Sequence, residues 1–103
     1  MLESIDKIAD YVSALDFDDF KFDSKTIDAV VRNFEIIGEA ARNIPPSIKK
    51  QYADVPWQDV VDFRNRIAHE YFNISLEIVW QIIQKELPKL KTQLIQILNR
   101  SKG

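Results

Sequence analysis

Ile27-Asp28-Ala29-Val30-Val31-Arg32-Asn33-Phe34-Glu35-Ile36-Ile37-Gly38-Glu39-Ala40-Ala41 is the stretch that decides the fold. Ile27, Val30/Val31, Phe34, Ile37/Gly38 and Ala41 recur every three or four residues, which lines one face of a helix with 3.6 residues per turn. Asp23 and Ser24 just upstream are both good N-caps, and Pro45-Pro46 just downstream ends the pattern, so the spacing predicts a helix from Asp23 or Ser24 to Asn43. Gly38 lowers helix propensity, but its missing Cβ lets a second helix approach closely, and that is the reason expected for it.

The same periodicity extends outward in both directions. Leu2, Ile5, Ile8/Ala9, Val12 and Leu15 predict a first helix over 2–15. The segment 16–23 reads as a connection whose three phenylalanines, Phe17, Phe20 and Phe22, anchor it to the bundle. A short helix is expected over 46–52, and another from Pro56, a residue suited to a first helical turn, to near Asn73. Ser75 can cap a last long helix to about Arg100, with a kink or break over 86–88 because Pro88 removes a backbone bond and clashes with the preceding turn. Two glycines, one of them terminal, leave little material for tight hairpins. The expected fold is all-α, an antiparallel up-and-down bundle forming one domain over 1–103, with a frayed tail at 100–103 and no internal repeat.

Composition narrows the function classes. An apolar share of 46% and a charged share of 29% are those of a globular chain. No apolar run approaches a membrane span, and the first residues lack the basic start and apolar middle of a signal peptide, so a cytoplasmic protein is expected. The absence of cysteine excludes disulfides, thiolate chemistry and Cys-based zinc sites. A formal net charge of −2 argues against strong nonspecific attraction to a polyanion, so any contact with RNA must be local. A helical chain this small often completes its burial by dimerising.

Arg64-Asn65-Arg66-Ile67-Ala68-His69-Glu70-Tyr71 carries the candidate chemistry. On a straight helix Trp57, Val60, Val61, Ile67, Ala68 and Tyr71 fall within roughly 60° of Arg64, which places a permanent cation in an apolar stripe. Such a group needs a carboxylate, a partner subunit or a polar cleft; Glu35 and Glu39 are the carboxylates within reach by charge placement. His69 falls about 140° from Arg64, on a polar strip with Gln58, Asp62 and Asn65. The two converge only if the arginine wraps around the helix, the helix distorts, or two subunits share one cleft. Histidine is suited to moving protons and arginine to holding a phosphoryl group, a pairing that fits phosphodiester cleavage. The plainer readings are a structural ion pair for Arg64, a surface or packing residue for His69 and a core aromatic for Tyr71.

Arg64 through His69 resembles the Arg-x4-His motif of HEPN ribonucleases, with the polar residue that often follows the arginine present as Asn65. The extension to Tyr71 resembles the Arg-x4-His-x-Tyr pattern of HepT-like toxins. Residues 30–41 are similar to that family's second helix, and Pro56-Trp57 leading into Phe63-Arg64-Asn65 to its approach to the motif. The resemblance implies a HEPN-type bundle and a homodimer whose motif helices face one another across a cleft, cleaving RNA without a metal. By the same carry-over, His69 transfers a proton, Arg64 steadies the phosphate and Asn65 orients one of them. The implied partner is a minimal nucleotidyltransferase antitoxin that transfers AMP to Tyr71, blocking RNA by bulk and charge.

Glu35 and Glu39, with Asp28, Arg32 and Arg42 nearby, read as a solvated helix face rather than an acid/base pair or a metal cradle, and no metal or cofactor is assigned. Lys85, Lys89 and Lys91 read as a solvated edge rather than an RNA track. Two alternatives to the nuclease stay open: a noncatalytic HEPN module that binds a nucleotidyltransferase partner or nucleotide, and a dimeric adaptor unrelated to RNA.

Overall fold

A computed structural model describes residues 1–70 and 75–102, with the backbone alone described for 68–70 and for 101 and 102. The described residues form helices α1 (Leu2–Val12), α2 (Phe17–Lys21), α3 (Ser24–Arg42), α4 (Pro46–Gln51), α5 (Trp57–Glu70) and α6 (Leu76–Gln81), a π turn (Ile82–Glu86) and α7 (Leu87–Lys102). This is the all-α, HEPN-type bundle expected. Helix α3 is its centre, packed on α1 along one flank and on α5 along another. Ile5, Ile8, Phe20, Val30, Ile37 and Ile67 are among the side chains that fill the core. The Cα envelope of 44 × 28 × 17 Å is thin along its last axis, leaving room for about two helix layers at the usual spacing of roughly 8–10 Å.

Residues 16–23 are not the loop expected of them. Asp16 and Asp19 form a reciprocal capping box, the Asp19 N–H donating to Asp16 Oδ1 at 2.8 Å, and this starts the short helix α2. Its Phe20 is fully buried and lies 5.1 Å from the Trp80 ring on α6, and Phe17 packs beside the same ring. Phe22 departs from the expectation: it is 82% exposed, with the Lys21 ammonium 5.2 Å from its ring centroid.

Asp23 caps α3. Its Oδ1 accepts from the Thr26 N–H at 3.1 Å and its Oδ2 from the Thr26 hydroxyl at 2.7 Å. These two hydrogen bonds, the hydroxyl's first, hold the Asp23 carboxyl below the ordinary carboxylate range. The irregularity expected near Pro88 takes the form of the π turn, where the Leu87 N–H reaches back to the Ile82 carbonyl. The wider turn directly precedes the proline, and the chain stays helical through it. Ser75 stands at the N-cap of α6 without a side-chain capping bond. Lys91 bonds Asp6 at 2.7 Å, tying α7 to α1, while Lys85 and Lys89 are exposed.

Candidate functional site

Gly38 fixes the approach of α5 to α3. A Cβ at Gly38 would overlap Arg64 Cβ, and would lie 2.5 Å from Arg64 Cγ and 3.4 Å from the Val60 carbonyl oxygen. No described glycine has a positive φ, so the requirement here is space rather than backbone freedom. The stem of Arg64 thus occupies the notch that the missing side chain leaves.

From that notch the guanidinium reaches two acceptors. Nη1 donates to Asn65 Oδ1 at 3.1 Å, and Nη2 lies 3.4 Å from Glu39 Oε2. Glu39 is therefore the carboxylate that meets Arg64, and it sits on α3 next to the glycine that admits the arginine. The pair is half open to water, with 29% of the Arg64 side chain and 48% of the Glu39 side chain exposed. Arg64 Nε is buried and has no acceptor among the described residues. Of the five N–H donors of a guanidinium, one faces Asn65, one faces Glu39 and the Nε donor is enclosed. The other two donors, at the Nη end, have no acceptor among the described residues.

Asn65 lies about 100° around α5 from Arg64, in the rotational direction of His69 at about 140°. The bond to Asn65 draws the guanidinium toward that side of α5, while its contact with Glu39 keeps it against α3. His69 belongs to α5 by its backbone, but its side chain lies outside the description, and Tyr71 lies outside the described residues altogether. Of the remaining stripe, Trp57 and Ile67 are buried, and the Trp57 indole N–H donates to the Tyr52 carbonyl at 3.1 Å. Phe63 meets Phe34 of α3 edge to face, with ring centroids 5.0 Å apart. The Phe63–Phe34 contact holds the helix that carries the motif against α3, and the Trp57 bond ties its start to the segment before it.

An all-helical HEPN-type bundle with an Arg-x4-His motif on a helix packed against its centre is the class of protein that this fold and motif define. The chain belongs to the HepT-like ribonuclease family, whose profile, described as "Ribonuclease HepT-like", matches residues 1–97. Among its relatives, "Putative RNase TTE0752" of Caldanaerobacter subterraneus subsp. tengcongensis is 35% identical over 99% of this chain and 91% of its own length. "Probable ribonuclease HepT" of Thermococcus cleftensis is 36% identical over 86% of this chain and 81% of its own. "Gamma-glutamylcyclotransferase and putative RNase MJ0434" of Methanocaldococcus jannaschii is 38% identical over 95% of this chain, which spans 44% of that protein. No solved structure matches the chain. Among the described residues no helix is long and apolar enough to cross a membrane.

Proposed function

We propose that the chain is a metal-independent endoribonuclease, the toxin of a type VII-like toxin–antitoxin pair, acting in the cytoplasm as a homodimer in which the two motif helices line one cleft. The observation that carries this reading is the bond from the Arg64 guanidinium to Asn65, which draws it toward the side of the helix that also carries position 69. In the reaction the ribose 2′-oxygen attacks phosphorus and the bond from phosphorus to the 5′-oxygen breaks. His69 takes the proton from the 2′-hydroxyl or supplies one to the leaving 5′-oxygen. Arg64 binds the phosphate oxygens as charge grows on them, and Asn65 orients the guanidinium. The products carry a 2′,3′-cyclic phosphate and a free 5′-hydroxyl, and DNA, which lacks the 2′-oxygen, is spared.

The thin bundle supports the dimer, since a second copy supplies the burial and the opposite wall that two helix layers lack. Control falls to a nucleotidyltransferase partner that moves AMP from ATP to the Tyr71 hydroxyl and releases pyrophosphate. The added phosphate repels RNA and competes for Arg64.

RNA cleavage in chelator tests the catalytic reading. His69→Ala and Arg64→Ala each lower the rate at least about a hundredfold with helicity retained, and the wild-type product carries a cyclic phosphate. Undiminished cleavage by folded His69→Ala removes the assignment and leaves the nucleotidyltransferase-binding module. Incubation with the partner, ATP and magnesium adds AMP to the Tyr71 peptide, and Tyr71→Phe stays toxic and unmodified. AMP found only on another residue removes Tyr71 as the switch.

A further inference from the structure

A second feature of α5 lies away from the motif. Phe34 and Ile37 of α3, Val60 and Phe63 of α5, and Leu87 and Leu90 of α7 line an apolar groove of about 400 Å³, roomy enough for more than one aliphatic or aromatic side chain. The π turn borders it through Ile82 and Glu86, and the Gln93 side chain, donating to the Asp54 carbonyl at 3.0 Å, bridges α7 to the loop before α5. Phe63 and Asn65 project about 160° apart on α5, so the groove opens on the flank opposite the turned guanidinium.

Its rim is acidic. Asp54, Asp59 and Glu86 are exposed around the apolar floor with Lys89 as the cation beside them, and none of the three carboxylates is in an ion pair with a described residue. A second copy seated here about a two-fold axis would bring these carboxylates toward their own equivalents, which like-charge repulsion opposes. An uncharged apolar ligand would fill the floor and leave the rim unused. The occupant that satisfies both is an amphipathic helix with apolar residues at i, i+3, i+4 and i+7 and lysine or arginine beside them.

We propose that this groove docks such a basic amphipathic helix from a partner protein. The site is independent of the nuclease reading, because it shares no side chain with Arg64, Asn65 or His69. Docking there grips α3, α5 and α7 at once, and leaves the Asn65 flank of α5 uncovered.

The probe is a fluorescein-labelled, amidated 14-residue peptide of leucine and lysine with leucine in that register, beside a scrambled peptide of the same composition. The registered peptide is expected to bind at least tenfold more tightly by fluorescence anisotropy, and to shift amide resonances of residues 54–63 and 82–93. Asp59→Lys combined with Glu86→Lys, both at exposed positions, is expected to weaken it at least tenfold at unchanged helicity. Should the double variant lose helicity, the single Asp59→Asn and Glu86→Gln variants are each expected to weaken binding severalfold. The proposal is overturned by equal affinity of the two peptides, by resonance shifts confined to other residues, or by charge variants that leave the affinity unchanged. It is also overturned if Asp59→Lys and Glu86→Lys change self-association in sedimentation equilibrium, which would make a second copy the occupant.

Discussion

Gly38 on α3 and Arg64 on α5 form one packing unit, because the first two carbons of the arginine side chain stand in the space a Cβ on residue 38 would need. This separates steric from conformational effects at a helical glycine. Gly38→Ala gains about 1 kcal/mol of helix propensity, while overpacking a tight contact costs about 1–3 kcal/mol. The atom that must give way is a Cβ fixed to the α5 backbone, so the steric cost wins. Thermal unfolding of Gly38→Ala is expected to show a midpoint lower by up to roughly 15 °C. A midpoint at or above wild type would mean that α5 rides up on α3 without loss.

Glu39 and Asn65 hold the same guanidinium but would differ in their effect on a phosphate bound there. A carboxylate at about 4 Å repels a unit negative charge by about 1 kcal/mol in water. Glu39→Gln is therefore expected to lower KM for a short RNA roughly fivefold with kcat little changed. Asn65→Ala removes the acceptor that turns Arg64 toward the His69 flank, so it is expected to lower kcat about tenfold or more. Exposed ion pairs contribute about 0–1 kcal/mol, and neither change is expected to move stability by more than that. Steady-state cleavage beside urea unfolding checks both, and a fall in kcat for Glu39→Gln would make it a positioning residue instead.

Much of this arrangement was legible in the sequence for definite physical reasons. The stripe from Ile27 to Ala41 has a single period, and Asp23 and the Pro45-Pro46 pair punctuate it, so α3 could be read to within a residue or so. A glycine within that stripe implied a close neighbour, though identifying Arg64 as that neighbour required the register of α5 on α3. Glu35 and Glu39 were equivalent by charge, and only the rotation of α3 chooses Glu39. Helix α2 is not legible from periodicity because five residues carry too little of it; its signal is the capping box between Asp16 and Asp19. The exposure of Phe22 is not legible either, because apolar character alone does not say which of three phenylalanines faces inward. The groove was not legible at all, since its walls come from three separate segments.

The Asp23 cap makes part of the stability of α3 depend on pH. Its carboxyl is held below the ordinary value of 3.8, chiefly by the Thr26 hydroxyl and then by the Thr26 N–H. The folded state therefore favours the ionised form, and the contribution is complete above the unfolded value and is lost as pH falls through the folded one. Asparagine caps helices about as well without titrating. Asp23→Asn is thus expected to flatten the fall in unfolding free energy that begins near pH 4 and continues downward, with little change at pH 7. Urea unfolding from pH 7 to pH 2 checks it, and parallel curves for the two proteins would show that the cap does not titrate as argued.

The turn of Arg64 toward Asn65 also bears on how a dimer would divide its chemistry. Were Arg64 to stay in the apolar stripe, about 140° from His69, a working pair would need the arginine of one subunit and the histidine of the other. The bond to Asn65 Oδ1 carries the guanidinium toward the polar strip of its own helix. In the proposed dimer each subunit would then assemble its own pair, and its partner would supply the facing wall of the cleft. Mixing Arg64→Ala with His69→Ala distinguishes the two arrangements. Random exchange makes about half of the dimers mixed. If arginine and histidine came from different subunits, one of the two pairs in each mixed dimer would be intact, and cleavage would recover to about a quarter of wild type. With both drawn from the same helix, every pair in the mixed dimer lacks one member, so the expected rate stays at that of the separate variants. The measurement is RNA cleavage after the two are refolded together, with subunit exchange verified by a mass tag on one of them, and recovery toward a quarter would assign the pair to opposite subunits.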